Sequence, residues 1–229
     1  MQLKRLLVIP ARGNSKRIKN KNFKNFKGKP IISYSINTAI KSKLFDHIIV
    51  SIDDVNKIKY LKKFKVKIDI RPKKYAKDHS TIEDVLRNIY YNYLNKNIRF
   101  KEVWSLTPCS PLIKTSDLIK ASKLLKKNKN RIVLPVCEYS APISWAFKRN
   151  KRNILYPLKK NAYKIRSQDL PKNYHDTGNF VCIPFTFFKK KKKIEFDKNY
   201  VGLKIPKIRS VDIDDLEDWK IAEAFYEKK

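Results

Sequence analysis

Two groups of residues in this chain have the types and spacing to do chemistry. The first is the run Arg12-Gly13-Asn14-Ser15-Lys16-Arg17-Ile18-Lys19-Asn20-Lys21-Asn22, in which Arg12, Lys16, Arg17, Lys19 and Lys21 crowd around a glycine, a serine and several asparagines. A loop of this kind suits a polyanion, above all a string of phosphates. Neither familiar phosphate loop is present. After Gly13 the next glycine is Gly28, which rules out G-x-x-x-x-G-K-[ST], and a chain with 4 Gly never presents G-x-G-x-x-G. Side-chain cations must therefore do what a glycine-rich backbone does elsewhere. The competing reading is a solvated basic loop, since charge runs usually lie on solvated faces. The second group is Asp212 and Asp214. At i and i+2 of an extended segment their side chains share a face, with Ile213 turned to the other. Two hard carboxylates on one face suit Mg²⁺, which is commonly held by one or two carboxylates plus phosphate oxygens and water. The plainer alternative is that one of them caps the helix that follows.

The elements that must position these groups follow from periodicity. Leu6-Leu7-Val8-Ile9 reads as a buried strand stopped by Pro10, and Ile31, Ile32, Ile36, Ala39 and Ile40 follow at helical spacing with Pro30 in the first helical position. His47–Ile52 is a second strand, ending in Asp53-Asp54. A polar helix carries Val55, Ile58, Leu61 and Phe64 as its inner stripe, and Val66, Ile68 and Ile70 alternate as a half-exposed strand up to Arg71-Pro72. Ser80-Thr81-Ile82-Glu83 has capping-box spacing, and Ile82, Val85, Leu86, Ile89, Tyr90 and Tyr93 form the inner stripe of the helix behind it. Val103–Leu106 is a strand. A helix capped by Thr115 or Ser116 reaches about Lys126, and Ile132–Val136 is strand again. From Cys137 to Tyr174 the rhythm breaks into an excursion that carries Trp145, Phe147, Tyr156 and Tyr163, more apolar surface than a loop needs. Phe180–Ile183 returns to the sheet, Arg209–Asp214 ends its last strand, and a helix with Leu216, Trp219, Ala222 and Phe225 closes the fold. The alternation predicts an α/β fold with a doubly wound, mostly parallel sheet in a single domain. The excursion at about 137–175 is expected to form a dimer arm or a flap.

Composition bounds the partners. The 229 residues, 42% hydrophobic and 12% aromatic, belong to a folded protein with one large core. A net charge of +33 raises nucleic acid as a partner. The lysines are nevertheless scattered over every segment, with Lys189 to Lys193 the one block, and lysine outnumbers arginine roughly four to one. That pattern looks like codon bias; a nucleic-acid footprint concentrates on one face. No specific nucleic acid is expected. Cys109, Cys137 and Cys182 are odd in number and lack metal-site spacing, which predicts reduced, buried thiols. No apolar run approaches ~18 residues and no signal segment opens the chain, so the expectation is a cytoplasmic protein with no membrane partner.

The opening motif V-I-P-A-R-G-x-S-K-R-I-x-x-K-N, followed by F-x-G-K-P-I-I-x-Y-S-I, resembles the acylneuraminate cytidylyltransferases, which make CMP-activated nonulosonic acids. The resemblance recurs at intervals to Ala222. V-D-I-D-D-x-E-D-W-x-x-A-E, from Val211 on, is similar to that family's carboxyl-terminal metal motif. The sequence departs from the pattern at Asn14, where many relatives have glycine, and at Lys19, where many have proline. The resemblance implies a nucleotide-diphospho-sugar transferase-like (GT-A-like) fold, a homodimer formed through the excursion, and Mg²⁺-dependent attack of a sugar acid on the α-phosphorus of CTP for surface glycan biosynthesis, expelling pyrophosphate. Ala11, Arg12, Ser15, Lys16, Lys21, Asn22, Arg71 and Thr107 would form the nucleotide site, with Arg12, Lys16 and Lys21 cradling the triphosphate. Asp212 and Asp214 would hold Mg²⁺. No dedicated general base is evident, and Asp212 is one candidate. Thr107 stands where relatives acting on N-acetylneuraminate often carry a glutamine against the nucleotide, and a hydroxyl cannot offer an amide's paired donor and acceptor.

The acceptor side rests on R-S-Q-D-L-P-x-x-Y-H-D-x-G-x-F, which is similar to pseudaminic acid cytidylyltransferases. Arg166 is a fork for the sugar carboxylate; Gln168, Tyr174 and His175 suit hydroxyl or acetamido groups. The middle motif, Ser110-Pro111-Leu112, looks more like sialate and legionaminate enzymes, so the two signals disagree; pseudaminic acid is favoured. Three rivals remain. A 3-deoxy-manno-octulosonate cytidylyltransferase has a loop that runs more directly from arginine to G-K-P, without the stretch from Lys21 to Phe26. A basic polyanion-binding module would bind with steep salt dependence and turn over no CTP. A catalytically dead scaffold is disfavoured by the intact Arg12, Lys16, Lys21, Asp212 and Asp214.

Overall fold

The computed structural model describes residues 4–13, 15, 17–76, 80–189 and 199–227. At its centre is strand β1 (Lys4–Ala11), whose side chains from Leu6 to Ile9 are fully buried. Alternate residues of a strand face opposite sides of a sheet. Leu7, Ile9 and Ala11 accordingly enter one apolar cluster and Leu6 and Val8 another. A strand buried on both faces requires a covering layer on each, and that requirement sets the three-layer α/β arrangement.

In chain order the further strands are β2 (Asn25–Phe26), β3 (Lys29–Pro30), β4 (His47–Ile52), β5 (Lys67–Ile70), β6 (Phe100–Leu106), β7 (Ile132–Glu138), β8 (Phe147–Arg149), β9 (Leu155–Pro157), β10 (Tyr174–Asp176), β11 (Phe180–Pro184) and β12 (Tyr200–Lys204). The helices are α1 (Ile32–Ser42), α2 (Ile82–Leu94), α3 (Thr115–Lys127), the short α4 (Thr186–Lys189) and α5 (Leu216–Glu227). β1 pairs in parallel with β4 and β6, β4 with β5, and β7 with β12. β11 lies antiparallel between β6 and β7, and β10 runs antiparallel along β7. The result is the mostly parallel, doubly wound sheet that the alternation predicts, with one reversed position. α1 and α3 pack on one face and α2 on the other.

Several boundaries differ from the sequence reading, each for a local reason. Pro10 does not stop β1, which continues in register with Ser51 and Ile52. Pairing with β6 ends at Val8, so the missing proline N–H falls where β1 has a neighbour on one side only. Pro30 is not a helix start. It pairs with Asn25 in a hairpin whose two-residue loop, Lys27-Gly28, has φ of 44° and 86°, and α1 begins two residues later. Positive φ at both loop positions is the turn that matches the twist of a tight hairpin. The Val55–Tyr60 segment is a 3₁₀ helix with no buried residue: Val55, expected on its inner stripe, is exposed, and Leu61 just past its end is the buried member. The capping box of α2 is one residue later than expected, from Thr81 to Asp84, and α3 is preceded by Lys114, whose N–H donates to Asp117 at 2.9 Å. The last strand is β12 and not Arg209–Asp214. Residues 210–214 pair with no strand, because the apolar alternation there serves packing against a different cluster.

That cluster fixes the site. Ile18 from the basic loop, Phe26 and Ile31 from the hairpin, Cys109 and Leu112 from beyond β6, and Ile213, Trp219 and Ala222 from the carboxyl end form a buried core of their own. Phe26, fully buried, meets Tyr34, Trp219 and Tyr226 edge-on at centroid distances of 5.5, 5.4 and 5.6 Å. The three cysteines are free and buried, as expected, and burial pushes the Cys109 thiol up to about 12. The excursion after β7 holds its own two-stranded sheet, β8 with β9, and Trp145 stacks on Tyr163 at 5.1 Å. Leu155, Tyr156, Leu158 and Tyr163 on it are each more than half exposed. No helix among the described residues is long and apolar enough to cross a membrane. Phe26→Ala empties the centre of the third cluster and should cost about 3–5 kcal/mol; urea unfolding monitored by circular dichroism measures it.

Candidate active site at the edge of β1

A cleft of about 540 Å³ opens at the carboxyl ends of β1 and β6, lined among others by Arg12, Ser15, Arg17, Lys21, Asn22, Arg71, Thr107 and Asp214. Chain order runs outward from this point in both directions, towards β4 on one side and β6 on the other, and open α/β sheets leave a crevice at such a switch point. The basic loop expected to bind phosphates therefore borders the cleft. Lys16 lies outside the described residues. Ala11 is fully buried at the end of β1, with its side chain in the main core.

The loop is shaped by contacts that its charge pattern did not announce. The Gly13 N–H donates to Asp53 Oδ1 at 2.6 Å, and a Cβ on Gly13 would lie 3.0 Å from Asp54 Cβ. Asn22 is buried; its amide donates to the Arg12 carbonyl at 2.8 Å and its oxygen accepts from Cys109 Sγ at 3.3 Å. Asn22 thus holds the loop's path from within. Arg71 is also buried, donating to Ser51 O at 3.1 Å and Ser51 Oγ at 3.3 Å. Burial pushes its guanidinium pKa down, Asp53 offsets that, and the like charge of Arg12 adds to it.

Lys21 joins the two halves of the site. Its Nζ donates to Ile213 O at 2.6 Å and to Asp214 Oδ1 at 3.3 Å, and Arg17 Nη2 lies 2.9 Å from the same carboxylate oxygen. Asp212 and Asp214 flank the buried Ile213 as expected, but their surroundings differ. Asp214 is ion-paired to the basic loop, whereas Asp212 rests against Gly178, where an added Cβ would come within 2.4 Å of its Oδ2. The Asp212 pKa is raised by lost hydration first and then by Asp214, with Asp176 and Asp218 adding and Lys21 opposing. Capping of α5 falls to Asp215, which accepts from the N–H groups of Glu217 and Asp218 at 2.9 and 3.0 Å. Asp212 has no ion pair among the described residues, and the crowding of carboxylates around it is what a hard divalent cation relieves. No cluster of three or more acidic, histidine or cysteine ligands forms a cage among the described residues. Mg²⁺ fits this donor set, since it keeps waters and substrate oxygens in its shell.

The acceptor residues are spread out. Arg166 and Gln168 lie on exposed turns of the excursion, and Tyr174, nearly half exposed on β10, carries Lys204 Nζ 5.7 Å from its ring centre. The His175 ring lies 4.9 Å from that of Tyr139 at a tilt of 57°, with its Nδ1 2.9 Å from Asp176 O. None of the four lines the cleft. β10 nevertheless leads straight into the Asp176–Gly178 turn against which Asp212 rests. The sequence reading missed Asp53, Asp176 and Gly178 as parts of the site, and it placed Arg17 in the basic loop without its contact to Asp214. It also misjudged Ile82: expected inside, it is 51% exposed and forms, with Thr81 and Val85, an apolar wall of the cleft. The signal for Asp53 was present in a strand ending on two aspartates. The others depend on contacts between distant segments.

This chain is similar to proteins already known. A family profile described as Cytidylyltransferase matches residues 6–229. A pseudaminic acid cytidylyltransferase of Campylobacter jejuni is 34% identical over 229 residues, covering 98% of this chain and 97% of that protein. An N-acylneuraminate cytidylyltransferase of Escherichia coli is 24% identical, and this chain spans 54% of its length. Among solved structures, a CMP:2-keto-3-deoxy-manno-octonic acid synthetase complexed with CTP superposes with a TM-score of 0.71 over 98% of this chain and 99% of that one, at 14% identity. That likeness concerns the fold.

A carboxylate whose pKa is raised on folding costs stability only once the pH passes its unfolded value near ~3.9. Asp212→Asn should therefore melt above the parent at pH 7, and the two should converge as the pH falls to about 4. Thermal unfolding across that range checks it, and an Asn variant that melts lower at pH 7 contradicts it.

Proposed function

Because this chain belongs to the cytidylyltransferases, and among them to the acylneuraminate family, we propose that it transfers CMP from CTP to a nonulosonic acid, pseudaminic acid before N-acetylneuraminic or legionaminic acid, with release of pyrophosphate. The single observation that carries the reading is the Lys21 contact: the basic loop and the aspartate segment meet at one ammonium on the wall of one cleft. Pseudaminic acid is favoured by the acceptor motif around Arg166 and Tyr174 and by the relative at 34% identity. The 3-deoxy-manno-octulosonate alternative has only the likeness of fold at 14% identity behind it.

Phosphoryl-type transfer is accelerated chiefly by positioning and by neutralising oxygens that gain charge. Arg12 and Lys21, with Lys16, neutralise the triphosphate, and Ser15 donates a hydroxyl hydrogen bond to it. An ammonium has three donors. Two of those on Lys21 are engaged by Ile213 O and Asp214, so the ion is aimed before nucleotide arrives and one donor remains for a phosphate oxygen. Arg71 holds the nucleotide from β5, and the wall of Ile82 and Val85 suits the flat face of a base. Asp212, with Asp214, would hold Mg²⁺, which when bound draws charge from phosphate oxygens and polarises the attacking hydroxyl. Arg166, Gln168, Tyr174 and His175 would orient the sugar acid, which requires the excursion to approach the cleft from its exposed position. The same excursion, with its exposed Leu155, Tyr156 and Leu158, would form the arm of a homodimer. Biosynthesis of surface glycan precursors in the cytoplasm is the setting this chemistry fits.

Pyrophosphate release from CTP, measured over a panel of nine-carbon sugar acids and 3-deoxy-manno-octulosonate with UTP and no-sugar controls, tests the reading. The expected result is Mg²⁺-dependent release that is fastest with pseudaminic acid. Steeply salt-dependent binding to polyanions with no release for any acid would overturn it. Lys21→Ala should lower turnover by about 10² or more while the protein stays folded, and a near-normal rate in that variant removes Lys21 from the mechanism.

A further inference from the structure

We propose that Thr107 is a positioning residue for the Asp212 carboxylate: its hydroxyl fixes the turn on which that carboxylate rests. The inference rests on the reading above that Asp212 holds the divalent cation.

A threonine hydroxyl has one hydrogen to give. Thr107 gives it to Gly178 O at 2.5 Å, across the space between the end of β6 and the turn that separates β10 from β11. The two segments are tied a second time through the backbone, where Thr107 N–H donates to Asn179 O at 2.8 Å. From its other side Gly178 is held by its own N–H, which donates to Asp176 Oδ1 at 2.9 Å. Thr177 N–H meets Pro135 O on β7 at 3.1 Å, and the buried Asn179 donates to Ser110 Oγ at 3.3 Å. Gly178 thus has both backbone polar groups engaged, and its φ of +66° is a conformation that glycine adopts freely. Its open face is the seat of Asp212, with room for no Cβ: one would stand 2.4 Å from Oδ2 and 2.9 Å from Cγ of that residue.

The arrangement makes a short path from the cleft floor to the metal carboxylate. Thr107 lines the cleft on one side and anchors the glycine on the other. With its hydrogen committed, the hydroxyl has only a lone pair left to turn towards the cleft. Its stronger contribution is to hold Gly178 where Asp212 needs it.

The test compares Thr107→Val, which keeps the shape and removes the hydrogen bond, with Thr107→Ser, which keeps the hydroxyl. Mn²⁺ binding to the full-length protein with CTP present, followed by electron paramagnetic resonance, is the readout independent of turnover. The expected result is that Thr107→Val weakens Mn²⁺ binding about tenfold and raises the Mg²⁺ needed for half-maximal pyrophosphate release in parallel. Thr107→Ser recovers most of the binding, and the ratio of CTP to UTP turnover changes less than about twofold in either. Unchanged Mn²⁺ binding in Thr107→Val overturns the proposal alone, as does a tenfold fall in CTP preference with Mn²⁺ binding intact, which would make Thr107 a base reader. A parent protein that binds no Mn²⁺ with CTP overturns both the proposal and the metal reading beneath it.

Discussion

One ammonium group joins the two functional segments of this chain. Lys21 Nζ sits between Ile213 O and Asp214 Oδ1, partners 192 and 193 residues further along the sequence. The Lys21 side chain is 19% exposed, and a cation that far from water is tolerated only where charged or carbonyl oxygens replace its hydration. The contact is therefore a constraint in both directions. The loop cannot take up its path unless the carboxyl-terminal segment is docked, and that segment has its second aspartate turned towards the loop because the lysine is there.

The docking itself is apolar. Phe26, Trp219 and Tyr226 interlock edge-to-face, and Ile18 and Ile213 pack in the same cluster from the two functional segments. Edge-to-face aromatic pairs fix orientation as well as burying area. Charged side chains on a mobile support would hold their partners loosely; here each charged residue stands next to a buried one, Arg17 beside Ile18 and Asp212 and Asp214 beside Ile213. The electrostatics of the cleft are thereby delivered by hydrophobic packing a few ångströms away.

The site also carries a strain that folding alone would not select. Asp212 is crowded by Asp214, Asp176 and Asp218 and has lost hydration against Gly178, so its ionised form is held at a disadvantage. Crowded carboxylates are a common mark of sites that await a cation. The neighbouring basic loop offsets the charge only in part: Lys21 acts on Asp212 from a distance, while its direct contact and that of Arg17 are with Asp214. A net charge of +33 over the whole chain thus coexists with a local acidic spot, which is why overall composition says little about this site.

The sequence by itself determined the alternation of strands and helices, the central place of β1, and the identity of the two charged groups, because each is written in residues close together: a continuous apolar run, a cluster of cations, a D-x-D flanking one isoleucine. It did not determine where Pro10 and Pro30 fall in their elements, since a missing N–H matters only where a neighbouring strand asks for it. Nor did it locate β12 as the last strand, because the apolar alternation of 211–214 reads the same whether a sheet or the face of Phe26 and Trp219 receives it. The tertiary structure alone decided that Asp214 pairs with Lys21 while Asp212 sits on Gly178, that Asp53 holds Gly13, and that Ile82 faces the cleft. Those outcomes depend on distances between segments far apart in the chain, and a local pattern carries no information about which distant surface it will meet.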